Sequence, residues 1–214
     1  NVIVIGHGAA GLAAALAAAE TARQRGLTLA VTLLEKATED EAGGNTRWTP
    51  AYMRMASPDR VEPSFVHDML EATAFRGDET YFATLAHEAP ATVRWIAGHG
   101  VPFHQPTYYL AKGPPRIQPV GGGETIHREL TRASRGAGVA FRFGCAADAV
   151  VAEGSTIRGV RLVGGETIAA DAVVIASGGF QGNAAMMREQ RRRSAVGTAP
   201  SAGLDRWRRI AGVW

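Results

Sequence analysis

The sequence predicts a three-layer α/β fold around a parallel sheet, with an antiparallel hairpin lobe and the start of a second, mainly helical region. Three observations carry that expectation. Asn1-Val2-Ile3-Val4-Ile5 runs into Gly6-His7-Gly8-Ala9-Ala10-Gly11 and then into the alanine-rich residues 12–19, which reads as strand, glycine turn and helix. Residues 171–175 form a second apolar run, expected to be a buried parallel strand, and it ends in Ala176-Ser177-Gly178-Gly179 before Phe180. Short β-rich stretches at 139–143, 149–152, 157–163 and 166–169 lie between them, the last two read as a hairpin across the two-residue turn Gly164-Gly165.

Each element follows from its residues. In the opening turn Gly6 permits the tight bend, Gly8 lets the backbone approach a pyrophosphate, and Gly11 lets the helix pack close to the sheet. The helix N-terminus then presents N–H groups and a positive dipole end to phosphates. Residues 27–34, entered through Gly26, read as the second strand, and Glu35 ends it, 24 residues beyond Gly11. A carboxylate there accepts from both hydroxyls of a ribose and disfavours a 2′-phosphate, so NADP is the dinucleotide least suited to it. The alternative is a surface glutamate at a strand end. After the acidic residues 37–42, Gly43-Gly44-Asn45-Thr46 suggests backbone passing close to something flat or phosphorylated, or an ordinary turn.

Residues 62–75 and 78–98 have helical periodicity, with Phe65, Met69 and Ala72 on one face and Phe82, Leu85, Ala89, Val93 and Ile96 on another. Asp78 suits the N-cap and Gly98 or Gly100 the stop, while Pro90 is expected to kink or divide the second helix. Residues 101–119 hold five prolines around Tyr108-Tyr109 and read as irregular. Gly121-Gly122-Gly123 then precedes a helix from 124 to about 135, either as a close approach to an anion or ring or as a flexible joint.

At 214 residues and 46% hydrophobic, the chain can bury a sizeable core. No apolar run approaches the roughly 18 residues of a membrane span. No signal peptide is read, and because the chain starts without Met, directly in a strand, a few residues are expected to be missing from its front. The single cysteine, Cys145, excludes an intrachain disulfide framework, favours a reducing, cytoplasmic setting and reads as a small buried hydrophobe. The net charge of +3 conceals an asymmetry, because residues 191–214 hold six Arg against one acid. Elsewhere the positive charges are interleaved with acids, which argues against a nucleic-acid face. Those last residues, with no Lys and two of the four Trp, are expected to be the read-through of a frameshifted or damaged gene, with a genuine basic extension as the alternative.

Together these pieces resemble the flavoprotein family of fumarate reductases, succinate dehydrogenases and their soluble relatives, over residues 1–190. Val2 to Gly11, Leu34-Glu35-Lys36, Gly43-Gly44-Asn45-Thr46, Gly121-Gly122-Gly123 and Val174-Ile175-Ala176-Ser177-Gly178-Gly179-Phe180 occur in family order. Gly43 to Arg47 and the run from Phe65 to Gly123 look most like tricarballylate dehydrogenases. The resemblance implies a FAD-binding, Rossmann-like domain of the glutathione-reductase type. Gly6, Gly8, Ala9, Ala10 and Gly11 would cradle the FAD pyrophosphate, and Glu35 would bind the adenosine ribose with Lys36 beside it. Gly43, Gly44, Asn45 and Thr46 would run past the pyrophosphate towards the flavin. Ala147 matches the place where family backbone meets adenine, and Ala176, Ser177, Gly178 and Gly179 match an A-T-G-G turn with Ser in place of Thr.

Membrane-bound members tether FAD through a His after their Gly-Gly pair; residues 45–55 hold none, so noncovalent FAD is expected. Family chains are about twice this length, so the resemblance implies a front half, without the capping domain, the catalytic Arg and His, or the segment closing over the flavin. The implied reaction moves hydride between a small carboxylate substrate and flavin N5, with a further electron donor or acceptor and no metal. Arg binds carboxylates bidentately, which draws attention to Arg47 and Arg116, with Tyr108 or His127 assisting; each reads first as structural or solvated, and none is assigned as catalytic. Two alternatives stay open, an NAD-binding dehydrogenase and a non-catalytic remnant that binds FAD weakly or not at all.

Overall fold

The computed structural model describes residues 1–107, 113–180 and 183–189. In chain order its elements are β1 Val2–Ile5, α1 Ala9–Gln24, β2 Val31–Leu34, α2 Gly44–Trp48, β3 Met55–Ser57, β4 Arg60–Val61, α3 Phe65–Ala72, α4 Glu79–Gly98, β5 Phe103–His104, β6 Gln118–Pro119, α5 Gly122–Gly136, β7 Ala140–Arg142, β8 Ala147–Glu153, β9 Thr156–Leu162, β10 Thr167–Ala169 and β11 Ala172–Ile175. They fall into a sheet unit, residues 1–45 with those from 131 onward, and a helical unit, residues 46–130.

The sheet unit holds a parallel sheet in the order β11-β1-β2-β7 and an antiparallel sheet in the order β10-β9-β8. The predicted three-layer α/β class is the observed one. Because strand side chains alternate between faces, β1 is buried twice over. Ile3 and Ile5 join Leu34, Ala147, Val160, Leu162 and Ala170 in one core with the hairpin lobe. Val4, fully buried, lies on the opposite face, and α1 packs on β1 and β2 through the apolar stripe of Leu12, Ala15 and Leu16.

Three expectations need correction. The second strand covers Val31–Leu34 only, and Leu27, 63% exposed, belongs to the connection before it. Among the described residues β11 is a sheet edge rather than a buried strand, with Val174 and Ile175 each 38% exposed. The β9–β10 turn is one residue longer than expected: Leu162 N–H donates to Glu166 O at 2.8 Å, leaving Val163-Gly164-Gly165 as the loop. Two glycines in left-handed backbone, at φ 102° and 95°, close it.

In the helical unit, Met55, Val93 and Ile117 form a small core joined by Met53, Val61, Ala89 and Phe103. Asp78 caps α4 as predicted, its carboxylate accepting from Tyr81 N–H at 3.0 Å. Pro90 does not divide that helix, which runs unbroken from Glu79 to Gly98. Phe82 before the proline and Val93 and Ile96 after it are buried on one face, and that packing outweighs a penalty of about 3 kcal/mol. Leu85, expected on the same face, sits at its edge and is 44% exposed.

One buried group is costly. Ser134, on α5 in the sheet unit, is fully buried, and its hydroxyl has no hydrogen-bond partner among the described residues. A buried, unsatisfied polar group costs about 1–3 kcal/mol, and alanine is also the better helix former. Ser134→Ala is therefore expected to raise stability by about 1 kcal/mol, read as a higher urea midpoint with an unchanged slope. A lower midpoint would show that the hydroxyl is satisfied in solution.

Candidate functional site

The carboxyl ends of β11, β1 and β2 meet at the β1–α1 turn. Gly6 N–H donates to Leu34 O at 2.8 Å, and Ala176 N–H donates to Ile5 O at 2.9 Å, so the ladders continue just past the strand ends. Gly6 stands at φ 109°, and a Cβ on it would lie 2.4 Å from Ala176 O. A Cβ on Gly11 would lie 1.8 Å from Gly6 O. The turn is thus backbone against backbone, with the start of the Ala176-Ser177-Gly178-Gly179 segment against it. Helix α1 begins at Ala9 with Gly8 as an extended N-cap, without a side-chain cap and without an acid in its first turn. Its N-terminal dipole end is therefore not offset by a carboxylate in that turn, which suits an anion there.

Glu35 follows β2 and is half-buried. Its Oε2 accepts from His7 N–H and its Oε1 from Ala37 N–H, each at 2.9 Å. A carboxylate has about four lone-pair sites, so two backbone donors fix its orientation while leaving acceptor capacity for ribose hydroxyls. Its own backbone is held by Arg142 O at 2.9 Å and by Cys145 N–H at 2.8 Å. The arrangement fits a dinucleotide: a cradle that any Cβ would fill, a helix N-terminus, and an oriented carboxylate at the strand end.

The other predicted positions are distributed as follows. Lys36 is exposed beside Glu35. Gly43, buried at φ 120°, leads into Gly44 at φ 51°, and Gly44, Asn45 and Thr46 form the start of α2 rather than a plain turn. Ser177 is half-buried, and Gly178 at φ 80° and Gly179 are exposed. Ala147 opens β8 with its methyl group in the lobe core, which leaves its backbone as the part able to meet a ligand. Cys145 is half-buried rather than buried.

Among the side chains considered for substrate, Arg47 has its Nε 3.7 Å from Glu124 Oε1 and its guanidinium 5.4 Å over the Trp48 ring. Arg116 is exposed, His127 is half-buried, and Tyr108 lies outside the described residues, as do residues 191–214. On the sheet's other edge, Arg142 grips both carboxylate oxygens of Glu166 at 2.9 and 3.0 Å. That pairing holds the Glu166 carboxyl below its ordinary range and raises the Arg142 guanidinium. His7 escaped the sequence reading. It occupies the free position between two fingerprint glycines, where no rule assigns a residue, and its partners are distant in sequence.

The profile described as FAD binding domain matches residues 1–204, and so continues past residue 190 into the Arg-rich segment. Among solved structures, 3-ketosteroid-Δ4-(5α)-dehydrogenase from Rhodococcus jostii RHA1 superposes with a TM-score of 0.70 at 21% identity, over 95% of this chain and 50% of that one. The open conformation of a flavocytochrome c3 fumarate reductase also gives 0.70, at 23% identity, over 90% of this chain and 36% of that one. A curated relative, the zeta-carotene-forming phytoene desaturase of Myxococcus xanthus, is 43% identical over 56 residues, 26% of this chain and 11% of its own. The chain thus spans half the length, or less, of these relatives. Among the described residues no helix is long and apolar enough to cross a membrane. The match removes the basis for an NAD reading of the fingerprint, and with that profile covering nearly all of its length the chain belongs to the FAD binding domain family, with FAD as its cofactor.

Proposed function

We propose that this chain is the cofactor-holding part of a flavin-dependent oxidoreductase of the fumarate or tricarballylate type, acting between a small carboxylate and a separate electron donor or acceptor. The observation that carries the proposal is the convergence of Gly6, Gly11, Glu35 and Ala176 at the carboxyl ends of three adjacent parallel strands, where α/β sheets bind nucleotides. Gly6, Gly8, Ala9, Ala10 and Gly11 hold the pyrophosphate against the α1 N-terminus, Glu35 takes the adenosine ribose with Lys36 alongside, and the Ala147 backbone meets adenine. Gly43 to Thr46 and Ala176 to Gly179 would follow the cofactor towards its ring, as the family resemblance implies. Bound flavin supplies hydride exchange at N5; the chain supplies orientation and the exclusion of a 2′-phosphate. With no His in residues 45–55 the cofactor is noncovalent, and the single cysteine suits a reducing cytoplasm.

A second reading, FAD binding without turnover by this chain alone, is favoured by β11. Parallel sheets are covered on both faces, yet Val174 and Ile175, on a strand that is an edge among the described residues, are each 38% exposed. An absorption spectrum before and after incubation with FAD and gel filtration separates the cases. A retained band at roughly 450 nm, released by acid precipitation, is the expected result, and succinate, fumarate or tricarballylate turnover then decides between the two readings. A protein that stays colourless refutes both.

A further inference from the structure

We infer that His7 is a positioning residue of the cofactor site: its caged ring fixes the peptide whose N–H aims the Glu35 carboxylate at the adenosine ribose. The inference rests on the FAD reading above. His7 sits between Gly6 and Gly8, where the backbone is at its softest, and its N–H donates to Glu35 Oε2 at 2.9 Å. The direction of that N–H follows the torsions on either side of it, so something must restrain them.

The ring supplies the restraint. It is 2% exposed. It meets Phe141 and Phe143 edge-to-face, with centroids 5.3 and 5.2 Å away and interplanar angles of 90° and 88°. The two phenyl rings lie nearly parallel, 12° apart with centroids 6.0 Å apart, and Arg135 places its guanidinium 5.5 Å over Phe141. His7 Nε2 lies 3.3 Å from the Thr131 hydroxyl on α5. Aromatic pairs of this geometry add to plain burial, and a buried imidazole requires a polar partner, which Thr131 provides. The side chain therefore ties the phosphate turn to β7 and to α5, while its own peptide ties the turn to Glu35. Phe141 and Phe143 flank Arg142, whose carbonyl accepts from Glu35 N–H at 2.9 Å, so both ends of the Glu35 restraint meet at β7.

The test is a double-mutant cycle on FAD affinity, titrated by flavin fluorescence, with His7→Ala, Glu35→Gln and the pair together. If His7 acts through Glu35, the two are non-additive. His7→Ala then weakens binding about tenfold alone but no more than about twofold in the Glu35→Gln background. His7→Phe, which refills the cage and keeps the peptide N–H, is expected to recover affinity to within about threefold of wild type. Should His7→Ala not fold, His7→Leu enters the cycle in its place. Multiplicative losses, or a cavity-forming variant (His7→Ala or His7→Leu) binding like wild type, overturn the inference while leaving the cofactor site standing. A wild-type chain that takes up no FAD overturns the site and the inference together.

Discussion

Gly11→Ala is expected to abolish FAD retention and to lower stability by about 3 kcal/mol. The added methyl carbon would lie 1.8 Å from the Gly6 carbonyl oxygen and 3.0 Å from its carbon. Both are backbone atoms, and Gly6 cannot retreat, because its N–H is bonded to Leu34 O at 2.8 Å and Ala176 O stands only 2.4 Å from its own Cβ position. Relief therefore requires α1 to lift from the sheet, which removes its N-terminus from the strand ends and uncovers the face buried by Leu12 and Leu16. Gly6→Ala adds a second penalty, since φ 109° lies in a region that side chains rarely adopt. Gly26→Ala is the control: it also has positive φ, at 64°, but no atom of the described residues within 4 Å of the new carbon. It is expected to cost about 1 kcal/mol and to keep the flavin. Thermal melts and the visible spectrum of the three variants check this, and a yellow Gly11→Ala protein melting with wild type would refute the close-packed turn.

The contrast shows which parts of the molecule are legible in the sequence. The β1–α1 turn and Glu35 are, because one strand, one turn and one helix fix their geometry locally and glycine spacing encodes it. The hairpin lobe is also legible, since its strands pair with sequence neighbours. What fails depends on partners far away along the chain. The apolar run at 172–175 reads as buried because composition reports an environment without saying which neighbours supply it; among the described residues β11 has only β1 beside it in its sheet. Residues 27–30 carry strand-like composition but lie outside β2, whose ladder with β1 begins at Val31 opposite Val2. Of the two outcomes expected at Pro90, division of α4 does not occur, because tertiary packing overrides a local penalty. His7 is the extreme case: its residue type is unremarkable in sequence, and its meaning lies in Thr131, Phe141 and Phe143, more than 120 residues on.

Gly121-Gly122-Gly123 leaves two possibilities open in the sequence, a close approach to an anion or ring and a flexible joint, and within the helical unit Gly123 makes a close approach of another kind, to protein backbone. Gly123 is buried, and a Cβ on it would lie 1.9 Å from Thr46 O and 2.9 Å from Thr49 Cγ2. Its own N–H donates to Thr49 O at 2.8 Å, so the first turn of α5 is docked directly on the backbone leaving α2. The obstruction at Thr46 is a carbonyl within a five-residue helix, with no side chain able to rotate away. Gly123→Ala is therefore expected to cost about 2–3 kcal/mol and to displace Thr46 with the rest of α2. If Thr46 follows the cofactor as proposed, FAD affinity falls as well, and affinity lost with the melting point only slightly changed would locate the effect at the cofactor rather than in the fold. Gly136→Ala, at the other end of the same helix with no atom of the described residues within 4 Å of the new carbon, is the matched control. It gains helix propensity and is expected to be neutral or stabilising by up to about 1 kcal/mol. If the two alanine variants unfold at the same denaturant concentration, the glycines are a joint after all; a separation of the predicted size establishes that Gly123 is there because backbone must meet backbone.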